Sequence, residues 1–130
     1  MFRGVVKPKA KVAVLVRTRD RPQLLRRALA GICAQTETDW LVMLLNDGGD
    51  RATLDAVVNG LAPEHRAKVH VREVTPMIGC NSGRPLNLGI QQSLSHLLVV
   101  HDDDDSWHPT FLARSIDRMK AENTRACVCL

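Results

Sequence analysis

The sequence has no tyrosine, and aromatic residues make up only 3% of its 130 positions. Single-stranded nucleic-acid binders stack bases on exposed aromatic rings, so this scarcity argues against a nucleic-acid partner. No apolar run approaches the roughly 18 residues that a membrane helix needs. The N-terminal "MFRGVVKPKAK" is basic, but the apolar stretch after it, "VAVLV", stops at Arg17, which is too short for a signal peptide. A cytoplasmic chain is expected, with work at the inner membrane surface left open. Four cysteines occur, Cys33, Cys80, Cys127 and Cys129, and none forms a CxxC pair. They read as reduced thiols rather than a disulfide or zinc framework. No glycine-rich loop follows the first apolar run, where "RTRDRPQ" stands instead. That counts against a sugar-phosphate nucleotidyltransferase. An EF-hand is excluded because its glycine and distal glutamate are missing.

The residues that are present describe one domain. The apolar fraction is 45%, and 18 basic residues against 14 acidic ones give a net charge of +4. The basic residues are scattered, which suits a surface that tolerates phosphates rather than a nucleic-acid arm. Short continuous apolar runs at 12–16, 40–45 and 97–100 read as strands covered on both faces, the mark of a parallel sheet between helices. "VHVREV" (69–74) alternates in part, as an edge strand does. "RACVCL" at the C-terminus reads as one more strand, whose exposed edge would favour self-association.

Helical spacing predicts helices within 21–35 and over about 51–61, 84–95 and 109–122. Asp20 is the expected N-cap of the first, with Pro22 in its first turn. Asp105 or Ser106 is the expected cap near the last. Strands alternating with helices imply an α/β fold with right-handed crossovers, a Rossmann-like three-layer sandwich with a mainly parallel sheet.

In such sheets ligands bind beyond the C-terminal strand ends, where strand order reverses. The residues at those ends are "RTRD" (17–20), "NDGGD" (46–50) and "HDDDD" (101–105). Four carboxylates in a row repel one another, by roughly 1–4 kcal/mol per pair at about 4 Å. A hard dication, Mg²⁺ or Mn²⁺, resolves that repulsion with oxygen ligands and substrate phosphates. Asp102 and Asp104 are the favoured ligands. A zinc site on His101 and His108 is the weaker reading.

These pieces resemble family 2 glycosyltransferases of GT-A fold. "VAVLVRTRDRPQLLRRALAGICAQTETDWLVMLLNDGGD" is similar to the family's first section, and "RPLNLGIQQSLSHLLVVHDDDDSWHPTFL" to the next, with its Asn-x-Gly helix and Asp-x-Asp motif. The resemblance implies a nucleotide-sugar-binding domain over 1–130, without the C-terminal acceptor-binding half. It implies transfer of a sugar from a nucleotide-diphosphate donor, UDP-sugars being the commonest type, to a sugar, lipid or protein acceptor.

Thr18 and Arg19 then fall at the turn that holds the base, where the family often has an aromatic in place of Arg19. Asp47 falls on the base-binding Asp. Asn46 and Gly49 stand where the family usually has Asp and Ser. Arg84, a few residues from the family's usual Arg, is a phosphate or sugar ligand. Asp102 and Asp103 are nucleotide ligands, and Asp104 with Asp102 holds the metal. The general base is not identified in this sequence. The alternative is a non-catalytic or degenerate nucleotide-sugar-binding module.

Overall fold

A computed structural model describes residues 6–75 and 83–128. β1 (Val12–Thr18) and β2 (Trp40–Asn46) form the centre of a four-stranded sheet of order β3-β2-β1-β4. β3 spans Val69–Glu73 and β4 spans Leu97–Asp102. All three pairings are parallel. The sequence is therefore an α/β chain of the kind its apolar runs imply, and each strand is preceded or followed by a helix that crosses the sheet.

The sheet has two unlike faces because strand side chains alternate. Val12, Val14 and Val16 pack with Val42 and Leu44 against α1 (Pro22–Cys33), α2 (Arg51–Asn59) and α5 (Phe111–Ala121). Leu25, Leu29, Ile32, Leu54, Leu112 and Ile116 are the buried helix positions there. Ala13, Leu15, Leu41 and Met43 line the other face, against Leu86 of α4 (Gly83–Gln92). A Cβ at Gly89 would lie 3.0 Å from the Leu15 side chain and 3.2 Å from that of Leu45, so this glycine lets α4 lie close on the sheet. The one-turn α3 (Pro63–Arg66) leads into β3.

Three sequence expectations change. The apolar run of β4 is not covered on both faces: Leu98 is 43% and Val100 50% exposed. The reason is topological, since β4 is an edge strand and α4 lies over β1 and β2. "RACVCL" forms no strand over its described residues, 125–128, which are exposed. The caps also differ. Residue 21, not Asp20, is the N-cap of α1, and Thr110 is that of α5, neither with a side-chain cap bond. The Leu112 N–H of α5 is instead met by Gln35 Oε1 at 3.0 Å. Gln35 is 4% exposed and also donates to the His108 carbonyl at 2.9 Å. It fixes the end of α1 to the segment that follows the acidic run. Cys33 is half-buried and Cys127 exposed, both as free thiols. Burial pushes the Cys33 thiol above its ordinary range. Cys80 and Cys129 lie outside the described residues.

Candidate functional site

Strand order reverses between β1 and β4. β1 continues through α1 to β2 on one side, whereas the chain returns through α4 to β4 on the other. The crevice above these two strand ends is the place for a ligand. Thr18 ends β1, and Arg17 is in register with Asp102 on β4.

The loop after β2 spends its polar groups on the protein itself. Asn46, 1% exposed, donates through Nδ2 to the Gly49 carbonyl at 2.9 Å and to Glu73 Oε2 at 3.0 Å. Its Oδ1 accepts the Gly49 N–H at 3.1 Å. Asp20 has a left-handed backbone, φ 51°, and its Oδ1 accepts the Asp50 N–H at 2.7 Å. That long-range bond is why Asp20 does not cap α1. Asp50 caps α2, accepting from Thr53 N–H at 2.8 Å and Thr53 Oγ1 at 2.6 Å. Those two bonds hold its carboxyl below the ordinary range. Arg51 is pushed up by hydrogen bonds to Asp55 and Glu73. Asp47 donates its N–H to the Thr18 carbonyl at 3.0 Å, tying β2 to β1, and its carboxylate stands 3.8 Å from Arg17 Nε.

The loop after β4 behaves differently. Asp102, Asp104 and Asp105 are exposed, and one carboxylate oxygen from each lies within 4.8 Å of the others. Among the described residues the carboxylates of Asp102 and Asp105 make no hydrogen bond or ion pair. The backbone beneath them is well held. The Asp105 N–H donates to the Asp102 carbonyl at 3.1 Å, and His101 Nδ1 lies 2.6 Å from that same oxygen. Arg27 Nη2 donates to the Asp104 carbonyl at 2.7 Å. Two oxygens on one octahedral Mg²⁺ are at most about 4.2 Å apart. The three oxygens lie close to that spacing, and an all-carboxylate set is of the kind that could hold a hard dication.

Asp103 alone of the run is buried, 5% exposed, with its oxygens on Thr18 Oγ1 (2.9 Å) and Arg21 Nη1 (3.3 Å). His101 is 1% exposed, its ring 4.2 Å from that of Trp107, and its Nε2 has no hydrogen-bond partner among the described residues. It packs in the core, and among the described residues no metal-ligating group joins it to His108. His108 is exposed, with Nδ1 2.9 Å from Thr110 Oγ1.

Thr18, Asp102, Asp103 and Asp104 are thus gathered at one end of the sheet. Arg19 is exposed at the same turn. Arg84 is exposed in the first turn of α4, and among the described residues no hydrogen bond or ion pair joins it to the acidic loop. Arg21 and Arg27 are the residues that sequence reasoning missed. Arg21 reaches both Asp103 and Asp104, the latter at 3.8 Å. Only the pairing of β1 with β4 brings them there, and no local pattern announces it.

Comparison with known proteins agrees with this geometry. Residues 13–130 match the profile of Glycosyl transferase family 2. The succinoglycan biosynthesis protein ExoW of Rhizobium meliloti (strain 1021) is 32% identical over 111 residues, which is 85% of this chain and 34% of that protein. An uncharacterized glycosyltransferase of Nostoc sp. is 23% identical over 111 residues, covering 82% of this chain and 32% of the relative. The chain therefore spans about a third of the length of the curated relatives it matches. Among solved structures, the mannosyltransferase PcManGT from Pyrobaculum calidifontis, in complex with GDP-Man and Mn²⁺, superposes with a TM-score of 0.72 at 20% identity, over 86% of this chain and 33% of that one. S. aureus TarS in complex with UDP-GlcNAc gives 0.73 at 18% identity, over 87% and 32%. These likenesses establish a GT-A fold, and with the profile match over most of its length, the chain belongs to glycosyltransferase family 2.

Proposed function

We propose that this domain binds the nucleotide-diphosphate sugar donor, together with a divalent ion, in a metal-assisted sugar transfer. The observation that carries the reading is the meeting of three exposed carboxylate oxygens within 4.8 Å at the β4 end, beside β1 at the reversal of strand order. Asp104 and Asp102 are the ligands for Mn²⁺ or Mg²⁺, with Asp105 beside them. Such an ion, when bound, supplies charge stabilisation for a departing diphosphate. Thr18, Arg19 and Asp47 form the base end of the site. Arg84 is the candidate for a phosphate or donor-sugar contact, by a charge-assisted bond. PcManGT was solved with GDP-Man and Mn²⁺ and TarS with UDP-GlcNAc, which supports a nucleotide-sugar donor here.

A second reading has its own support. Of the carboxylates around the β2 end, where that of Asp47 stands 3.8 Å from Arg17, three are hydrogen-bonded within the fold: Asp20 on Asp50, Asp50 on Thr53, and Glu73 on Asn46 and Arg51. None of these is free to take a proton from an acceptor hydroxyl. By itself the domain would then bind donor without transferring its sugar.

Calorimetry of UDP, GDP and dTDP with and without Mn²⁺ tests the proposal. Wild type should bind at least one nucleotide more tightly with Mn²⁺, and Asp104→Ala should lose about tenfold or more of that affinity, or about 1.4 kcal/mol. Equal, metal-independent signals from all three nucleotides in both proteins would reject it. Turnover of a bound nucleotide sugar separates the two readings.

A further inference from the structure

Asp103 sits between Asp102 and Asp104 in sequence but faces the opposite way. Both neighbours are exposed, whereas Asp103 is buried among β1 and α1 groups. Burying a carboxylate costs several kcal/mol unless partners replace its water. Here Thr18 Oγ1 donates to one oxygen at 2.9 Å and Arg21 Nη1 to the other at 3.3 Å. The same guanidinium nitrogen lies 3.8 Å from Asp104 Oδ2. Arg27 holds the backbone of Asp104 from beneath. With residue 103 locked inward, the side chains at 102 and 104 are left on the outer side, where their oxygens meet that of Asp105.

We propose that Asp103 is a positioning residue. Through Thr18 and Arg21 it joins the β1 and β4 ends and sets the separation of the Asp102 and Asp104 carboxylates. It acts on the ion through its neighbours and does not contact it. This inference rests on the metal-assisted donor site proposed above. It also gives Thr18 a role besides a base contact: its hydroxyl proton is committed to Asp103, so only its lone pairs face other partners.

The test uses the whole 130-residue chain with UDP and GDP as probes, each titrated with and without Mn²⁺, beside thermal unfolding. Asp103→Asn keeps the shape and removes the charge. Thr18→Val removes the hydroxyl, and Thr18→Ser restores it. Asp103→Asn and Thr18→Val should each cut the gain in affinity that Mn²⁺ brings about tenfold, with Thr18→Ser near wild type. The double variant should be no weaker than either single one, because both cut the same link. Should Asp103→Asn fail to fold, the Thr18 pair carries the same comparison. A folded Asp103→Asn with lower thermal stability but wild-type Mn²⁺ dependence would overturn the inference and leave the donor site standing. Wild type with no Mn²⁺ dependence would overturn both. A Thr18→Val loss equal with and without Mn²⁺ would make Thr18 a direct base contact and overturn the link.

Discussion

The loops after β2 and β4 leave the same end of the sheet, and both are acidic. Around the β2 end, the carboxylates of Asp20 from the β1 turn, Asp50 from the loop itself and Glu73 from β3 close on backbone N–H groups, a hydroxyl, an amide and a guanidinium. After β4, only Asp103 is used in this way, and three carboxylates are left facing solvent together. The first arrangement stabilises the fold at neutral pH. The second keeps like charges together with no protein cation beyond Arg21 near them. Acidic residues at a strand end are therefore no single signal, because their partners decide whether they build the protein or wait for a ligand.

Substitutions can sharpen the contrast. The largest effect is expected after β2. Asn46→Ala strands the Gly49 N–H and part of the Glu73 carboxylate, and should cost about 2–3 kcal/mol by urea unfolding. After β4 the sign should reverse: Asp102→Asn, without metal, should stabilise by roughly 0.5 kcal/mol, an effect that shrinks with added salt. A destabilising Asp102→Asn would break the comparison. The smallest effect concerns pH. Because the folded state depresses the Asp50 carboxyl, its contribution is present above the unfolded value and is lost as pH falls through the folded one. Thermal midpoints should therefore fall less steeply below about pH 4 in Asp50→Asn than in wild type.

Much of the fold could be read from local pattern. Continuous apolar runs located β1, β2 and β4, and alternation in "VHVREV" put β3 at an edge. The ladders run on through polar residues, to Thr18, Asn46 and Asp102, because backbone pairing does not require apolar side chains. What failed depended on strand order or on distant partners. Leu98 and Val100 are apolar yet half bare because β4 takes the edge. Asp20 has the composition of a helix cap, but Asp50 of the next loop competes for it and wins. The position of the acidic run at a strand end was legible, while its division into one inward and three outward carboxylates was not. That division depends on Thr18 and Arg21, some eighty positions earlier.

A Cβ at position 49 would fall 2.9 Å from Asn46 Oδ1 and from the Asp20 nitrogen, and 3.0 Å from Asp20 Oδ1. A serine at this place therefore has no room while Asp20 keeps its left-handed turn and its reach to Asp50. Residues 20, 46 and 49 form an interlocked set whose members cannot change one at a time without penalty. Lineages that exchange this glycine for a larger residue must first, or at the same step, release the aspartate, so the order in which mutations arrive is constrained by three atoms.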